Sequence, residues 1–82
     1  SAVEPEASYF RIFPNPATQG FSIHSPEQMI RISMIDLTGR MVYSTNLQSD
    51  QHEINTDGFQ PGLYLLRIQT KKGIKHTSVQ VM

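Results

Sequence analysis

Short apolar runs alternate with turn residues along most of the chain. From Tyr9 onward these runs recur about every 8–12 residues, a spacing typical of β-sandwiches. No longer stretch repeats its apolar positions with the period of a helix. The pattern therefore predicts an all-β, antiparallel β-sandwich with almost no helix. Its seven predicted strands are Tyr9–Phe13, Phe21–His24, Met29–Ile35, Arg40–Thr45, His52–Asn55, Leu63–Thr70 and Ile74–Val81.

Two of these strands have a clear inward face, because successive side chains of a strand point to opposite sides. The inward residues are predicted to be Ile30, Ile32 and Met34 in the third strand and Tyr64, Leu66 and Ile68 in the sixth. Val42 and Val79 complete the predicted core. We also expect the Tyr64 hydroxyl to bond back to a turn, as in the tyrosine corner of other sandwiches.

Turn residues mark where the strands end. Pro14-Asn15-Pro16 ends the first strand, since each proline removes a backbone donor and disfavours helix before it. In Asp36-Leu37-Thr38-Gly39, the Asp36 side chain can cap an amide two residues on, and Gly39 can adopt positive φ. This predicts a three-residue hairpin with a glycine bulge, which pairs Met34 with Val42 and Ile32 with Ser44.

Two further turns lie in the C-terminal third. Pro61-Gly62 is predicted to form a type II turn in which Gly62 has positive φ. The last hairpin has two alternative registers: a bulged loop over 71–73 would place Leu66 opposite Ser78. An even loop of two or four residues would place Leu66 opposite Val79 and Tyr64 opposite Val81. We favour the even loop because it brings apolar side chains together.

The 82 residues suffice for one small domain, and their charges are unevenly distributed. Asp57 is the last acidic residue, and it is followed by Arg67, Lys71, Lys72 and Lys75. This basic third suits an anionic partner or a solvated, soluble edge. Nucleic acid is not an expected partner, because a stronger basic excess with interleaved aromatic residues is missing.

The chain has no cysteine and three histidines, His24, His52 and His76, that are far apart in sequence. No metal-ligand spacing, nucleophile motif or phosphate-binding glycine loop occurs. We therefore predict that the domain is not an enzyme and holds no cofactor or metal.

A small, acidic and proline-containing segment precedes the first strand. It is predicted to be a linker (residues 1–8) to an upstream domain, with the folded domain at 9–82. Because the chain opens with serine, we expect it to be a piece of a longer protein; no membrane span or signal peptide is recognisable. The linker residues are Ser1, Ala2, Val3, Glu4, Pro5, Glu6, Ala7 and Ser8.

Three motifs, in this order, resemble a known family over most of the chain. They are Phe13-Pro14-Asn15-Pro16-Ala17, the hairpin Met34–Val42 with its Asp36 and Gly39, and the segment Phe59–Ile68 with its Gly62 and Tyr64. The chain is thereby similar to the type A C-terminal sorting domains of the bacterial type IX secretion system of Bacteroidetes.

The resemblance implies a seven-stranded, Ig-like sandwich that ends a cargo protein. Such a cargo reaches the periplasm, its terminal domain is recognised by the outer-membrane translocon, and the cargo is secreted or attached to the cell surface. A sortase-like cysteine protease commonly removes the domain, so residues 1–8 are the expected processing linker. The alternative is an Ig- or fibronectin-like spacer or adhesion module of a surface protein.

The final hairpin is the predicted recognition element, because the unopposed basic residues and the terminal strand lie there. A strand at a sheet edge can be extended by a partner strand, and it also permits edge-strand self-association. The predicted recognition residues are Lys71, Lys72, Lys75, Ser78, Val79, Gln80 and Val81.

Overall fold

The computed structural model describes residues 10–82, which form five strands joined in one antiparallel sheet. The strands are β1 (Arg11–Phe13), β2 (Gly20–Ile35), β3 (Met41–Asn55), β4 (Gly62–Thr70) and β5 (Gly73–Val81). None of these residues belongs to a helix that could cross a membrane. The all-β prediction is confirmed for this part of the chain, whereas Tyr9 and the linker lie outside it.

The predicted count of seven strands is wrong, because two pairs of predicted strands are continuous. The second and third predicted strands form β2, and the fourth and fifth form β3. Pro26 lies between the second and third predicted strands, but it does not interrupt β2. It lies where the pairing of β2 with β3 shifts register between His24 and Met29, and such irregular positions tolerate proline.

The long strand β2 has different neighbours along its two halves. Its first half lies between β1 and the end of β3. Its second half lies between the start of β3 and β4, and β5 follows β4 at the sheet edge. Side chains from both halves meet in one hydrophobic cluster, so the sheet curls around its core.

The core follows the predicted inward faces with two changes, at Val42 and at Ile30. Its buried hydrophobic members are Ala17, Phe21, Ile23, Met29, Ile32, Met34, Ile54, Tyr64, Leu66, Ile68, Val79 and Val81. Val42 is half-buried against this cluster. Met29, rather than the predicted Ile30, is fully buried, because a register shift between Met29 and Arg31 changes the alternation of β2.

The β2–β3 hairpin has the predicted turn but not the predicted register. Gly39 has φ 89°, its N–H donates to the Asp36 carbonyl, and the Thr38 N–H donates to Asp36 Oδ1 at 2.9 Å. Ile35 lies opposite Met41 as the turn dictates, but the next pair is Met34 with Tyr43. One extra residue of β3, Val42, therefore shifts the pairing.

The β4–β5 hairpin has an even loop of two residues, Lys71 and Lys72, as favoured from the sequence. Its register nevertheless differs by two from the predicted one: Tyr64 lies opposite Val79, and Leu66 lies opposite Thr77. Loops of two and four residues leave the same side chains inward. The hydrophobic pattern therefore selects an even loop without selecting its length.

The connection from β3 to β4 turns earlier than predicted. Its hydrogen-bonded turn runs from Thr56 to Phe59, whose N–H donates to the Thr56 carbonyl at 3.1 Å. Gly62 has positive φ as expected, but its value of 151° is far from the roughly +80° of a type II turn. Pro61-Gly62 is therefore not the predicted type II turn. The Tyr64 hydroxyl donates to the Gln60 carbonyl at 2.6 Å, which confirms the expected bond back to the turn.

Candidate recognition surface

The segment Pro14–Ala17 holds the end of β5 in place. Asn15 Oδ1 accepts a hydrogen bond from the Gln80 backbone N–H at 3.0 Å. The Ala17 N–H donates to the Gln80 carbonyl at 2.7 Å, and the Met82 N–H donates to the Ala17 carbonyl at 2.8 Å. The Ala17 side chain is fully buried. We call this segment, Pro14 to Ala17, the clasp.

The clasp leaves the rest of the outer edge of β5 uncovered. The backbone groups of Gln80 point away from β4, because they bond to the clasp. Backbone direction alternates along a strand, so Ile74, His76 and Ser78 also direct their N–H and C=O groups outward. Within residues 10–82 these groups have no hydrogen-bond partner. This free stretch, Ile74 to Ser78, is the open edge.

The three predicted recognition lysines are not equivalent. Lys72 Nζ lies 2.9 Å from Glu27 Oε2, whereas Lys71 and Lys75 form no ion pair within the described chain. The hydrogen bond with Glu27 raises the pKa of Lys72. The same bond to Lys72, with the Thr70 hydroxyl as a further donor, lowers the pKa of Glu27. Lys72 is therefore partly engaged in holding the hairpin, and Lys71 and Lys75 supply the free charge.

The predicted recognition residues of β5 lie on opposite sides of the strand. Ser78 is exposed and Gln80 is half-buried on the outer face. Val79 and Val81 are buried in the core, with no more than 1% of either residue exposed. A partner that leaves the fold intact can contact the side chains of the first pair, but not those of the second.

Asp36 organises the β2–β3 turn through several contacts. It accepts hydrogen bonds from the Thr38 hydroxyl and from the backbone N–H groups of Thr38 and Arg40. Its second oxygen lies 3.6 Å from Arg40 Nε. The Thr38 hydroxyl, followed by the Arg40 amide, holds the pKa of Asp36 below its ordinary value. These contacts assign Asp36 a role in the turn.

Two cavities, of about 450 and 380 Å³, open on the surface away from the open edge. Each is lined by one carboxylate, Glu53 in the first and Asp36 in the second, with no histidine and no further carboxylate. Among residues 10–82, no three histidine or acidic side chains lie close enough to hold a metal ion. Neither cavity brings together the pair of groups that acid–base catalysis needs.

Sequence reasoning missed the partners of Asn15 and Glu27. The sequence places Asn15 only at the exit of the first strand, and Glu27 falls between the second and third predicted strands, although it lies within β2. Their partners, Gln80 and Lys72, are distant in sequence, so no local pattern indicates these contacts. The sequence shows that Lys72 belongs to the basic C-terminal third, but not that it forms an ion pair with Glu27.

A small β-sheet module with a clasped, partly open terminal strand is thus the class of domain that the fold and its surface define. Residues 11–82 match a protein family described as the secretion system C-terminal sorting domain. The match covers nearly the whole chain. The chain belongs to this family, the C-terminal sorting domains of the type IX secretion system, and carries a signal for export toward the outer membrane or cell surface.

In two similar proteins, the region that aligns with this chain is a small part of a much larger protein. An endo-acting ulvan lyase of Formosa agariphila is 29% identical over 72 residues, which cover 85% of this chain and 14% of that protein. A solved structure of PorZ, described as an essential surface component of the type IX secretion system of Porphyromonas gingivalis, aligns with a TM-score of 0.76. At 21% identity, over 100% of this chain and 12% of PorZ, this second likeness concerns the fold.

Proposed function

We propose that this domain is a non-enzymatic sorting signal that the outer-membrane type IX translocon reads through the β4–β5 hairpin. The family match over residues 11–82 carries the proposal. The open edge supports it, because an edge strand can bind an extended partner segment through main-chain hydrogen bonds. Lys71 and Lys75 lie beside this edge as free positive charges, which favour encounter with an acidic partner.

In the proposed pathway, an upstream cargo domain passes through the periplasm and then leaves the cell or attaches to its surface. A sortase-like cysteine protease removes the sorting domain within the linker, residues 1–8. The family resemblance and the composition of the linker support this step, because proline-containing polar segments suit proteolytic access.

We further propose that the curled sheet is a variant of the seven-stranded Ig-like sandwich. The long strands β2 and β3 each contribute one segment to the first half of the sheet and one to the second half. The seven predicted strands then correspond to three short strands and the four halves of β2 and β3. In this view, the irregular pairing of β2 with β3 between His24 and Met29 takes the place of the loops between the predicted strands.

The test is a fusion of the full 82-residue chain behind a periplasmic reporter in a host with an active type IX system. We expect the reporter in the medium or on the cell surface, and in the periplasm when the same fusion is made in a translocon-deficient strain. A matched fusion with Leu66→Ala, which should strongly destabilise the domain, is expected to leave more of the reporter in the periplasm. Export independent of the translocon, or none from the intact chain, would contradict the proposal. The second outcome would favour the spacer or adhesion module.

A further inference from the structure

The outer face of β2, β3 and β4 carries a basic depression that the proposed edge recognition does not use. Arg31 and Ser33 of β2 lie directly opposite Gln69 and Arg67 of β4. Together with Met41, these four residues line a cavity of about 230 Å³. Arg31 and Arg67 are diagonal neighbours across the two strands, a separation of about 7–8 Å that both long side chains can span.

Ser33 forms the floor of this depression. It is only 4% exposed although it lies on the outer face, because longer side chains surround it. The depression thus exists because a short polar residue stands among Arg31, Arg67 and Met41. Its hydroxyl and the Gln69 amide add neutral hydrogen-bond donors to the two guanidinium groups.

The two arginines have no acidic partner in the part of the chain that the structure describes. The ion pairs there are those of Arg40 with Asp36 and of Lys72 with Glu27. A guanidinium group presents a planar set of donors that binds carboxylate and phosphate through paired hydrogen bonds. Two such groups around a shallow depression form a site for one anionic group.

An apolar row lies next to the depression. Ile35 of β2 is directly opposite Met41 and Leu65, and Met41 and Leu65 are 49% and 39% exposed. Ile35 and Leu65 are each two residues along their strands from Ser33 and Arg67, a distance of roughly 7 Å. Side chains two positions apart in an extended peptide have the same spacing.

We propose that this face binds an extended peptide segment of a partner protein that carries an acidic residue two positions from an apolar one. The carboxylate lies between Arg31 and Arg67 above Ser33, and the apolar side chain packs on Ile35 and Leu65. A simple anion would satisfy the arginines but leave the apolar row exposed. The peptide satisfies both, and its binding does not depend on the export role.

The probe is a blocked peptide of sequence Ser-Glu-Ser-Leu-Ser, titrated into the isotope-labelled 82-residue chain and followed by NMR. We expect shifts at the Arg31 and Arg67 side chains and at Ile35 and Leu65. The double variant Arg31→Gln with Arg67→Gln should bind about tenfold or more weakly, since each lost charged contact costs more than a neutral one. A peptide with Gln in place of Glu should weaken binding similarly.

The matched control is Lys71→Gln with Lys75→Gln, which removes the same charge from the unpaired lysines of the hairpin. It should change affinity by less than about twofold, because neither lysine lines the depression and interactions of exposed charges are weak. Equal losses in both double variants would overturn the proposal in favour of unspecific attraction. The proposal would also be overturned if inorganic phosphate bound with the same affinity as the peptide. It would equally be overturned if anionic phospholipid vesicles bound the domain and the peptide did not. Circular dichroism of each variant checks the fold.

Discussion

Asn15 accepts a hydrogen bond from the backbone N–H of Gln80, 3.0 Å away and 65 positions further along the chain. This contact joins the end of the first strand to the end of the last. It gives the Pro14–Ala17 motif a structural task, because the same segment also pairs with Gln80 and Met82 through Ala17. The clasp therefore limits the open edge to Ile74–Ser78.

Removing the Asn15 side chain should loosen the last strand. Asn15→Ala leaves the Gln80 N–H without its acceptor, so we expect a loss of about 1 kcal/mol in the free energy of unfolding. Hydrogen exchange at Gln80 should become faster while exchange in β4 is less affected. Urea denaturation and amide exchange measure the two effects, and Thr18→Ala, at an exposed position nearby, is the control. Unchanged exchange at Gln80 would contradict the clasp.

A second prediction compares two adjacent leucines of β4. Leu66 is fully buried and Leu65 is 39% exposed on the outer face. Leu66→Ala should destabilise the domain by roughly 2–5 kcal/mol, because it removes buried surface and leaves a cavity. Leu65→Ala should cost less than about 1 kcal/mol, since much of that surface is already hydrated. Thermal or urea unfolding tests the order, and similar losses at both positions would contradict the assigned faces.

The Gly39 backbone supports a third prediction. Its φ of 89° lies in the region that residues with a Cβ rarely adopt, and no atom would clash with that Cβ. Gly39→Val should therefore destabilise by more than about 1 kcal/mol through backbone conformation alone. Gly39→Asn should cost less, because asparagine tolerates this region better. Equal unfolding free energies for both variants in urea would argue against this cause.

The alternation of polar and apolar residues explains how much of the fold was predictable. It placed Tyr64, Leu66 and Ile68 inward correctly, because each strand must bury one face whatever its partner. It predicted the wrong β2–β3 register, because no sequence pattern indicates that Val42 is an extra, unpaired residue of β3. A bulge depends on how two strands twist together, which is decided by packing.

The candidate recognition surface, which no comparison tests, could be described from the sequence only in outline. The basic residues near the C-terminus pointed to the β4–β5 hairpin as the candidate surface, because their positions can be read directly from the sequence. Two other relationships depend on which strands are neighbours in the sheet: the ion pair of Lys72 with Glu27 and the proximity of Arg31 to Arg67. Neighbour relations between distant segments require the topology, which local patterns do not contain.

The fourth prediction concerns acid. Thr38 and Arg40 lower the pKa of Asp36 in the folded state, so its contribution to stability is present above the unfolded value of about 3.8. That contribution is lost as the pH falls through the lower folded value. The midpoint temperature of thermal unfolding should therefore decrease when the pH is lowered below about 4. Asp36→Asn keeps an oxygen acceptor but does not titrate, so its midpoint should depend less steeply on pH. An equally steep dependence would assign the acid sensitivity to other carboxylates, of which Glu27 also has a lowered pKa.

The last prediction tests the open edge through its backbone. The His76 N–H points outward and has no partner in residues 10–82, so proline at this position removes a donor without breaking a bond to β4. If the translocon extends the edge by strand addition, His76→Pro should block export of the reporter fusion, whereas His76→Ala should be exported normally. Both variants should keep the circular dichroism spectrum of the parent chain. Normal export of a folded His76→Pro variant would mean that recognition does not use the β5 backbone at this point.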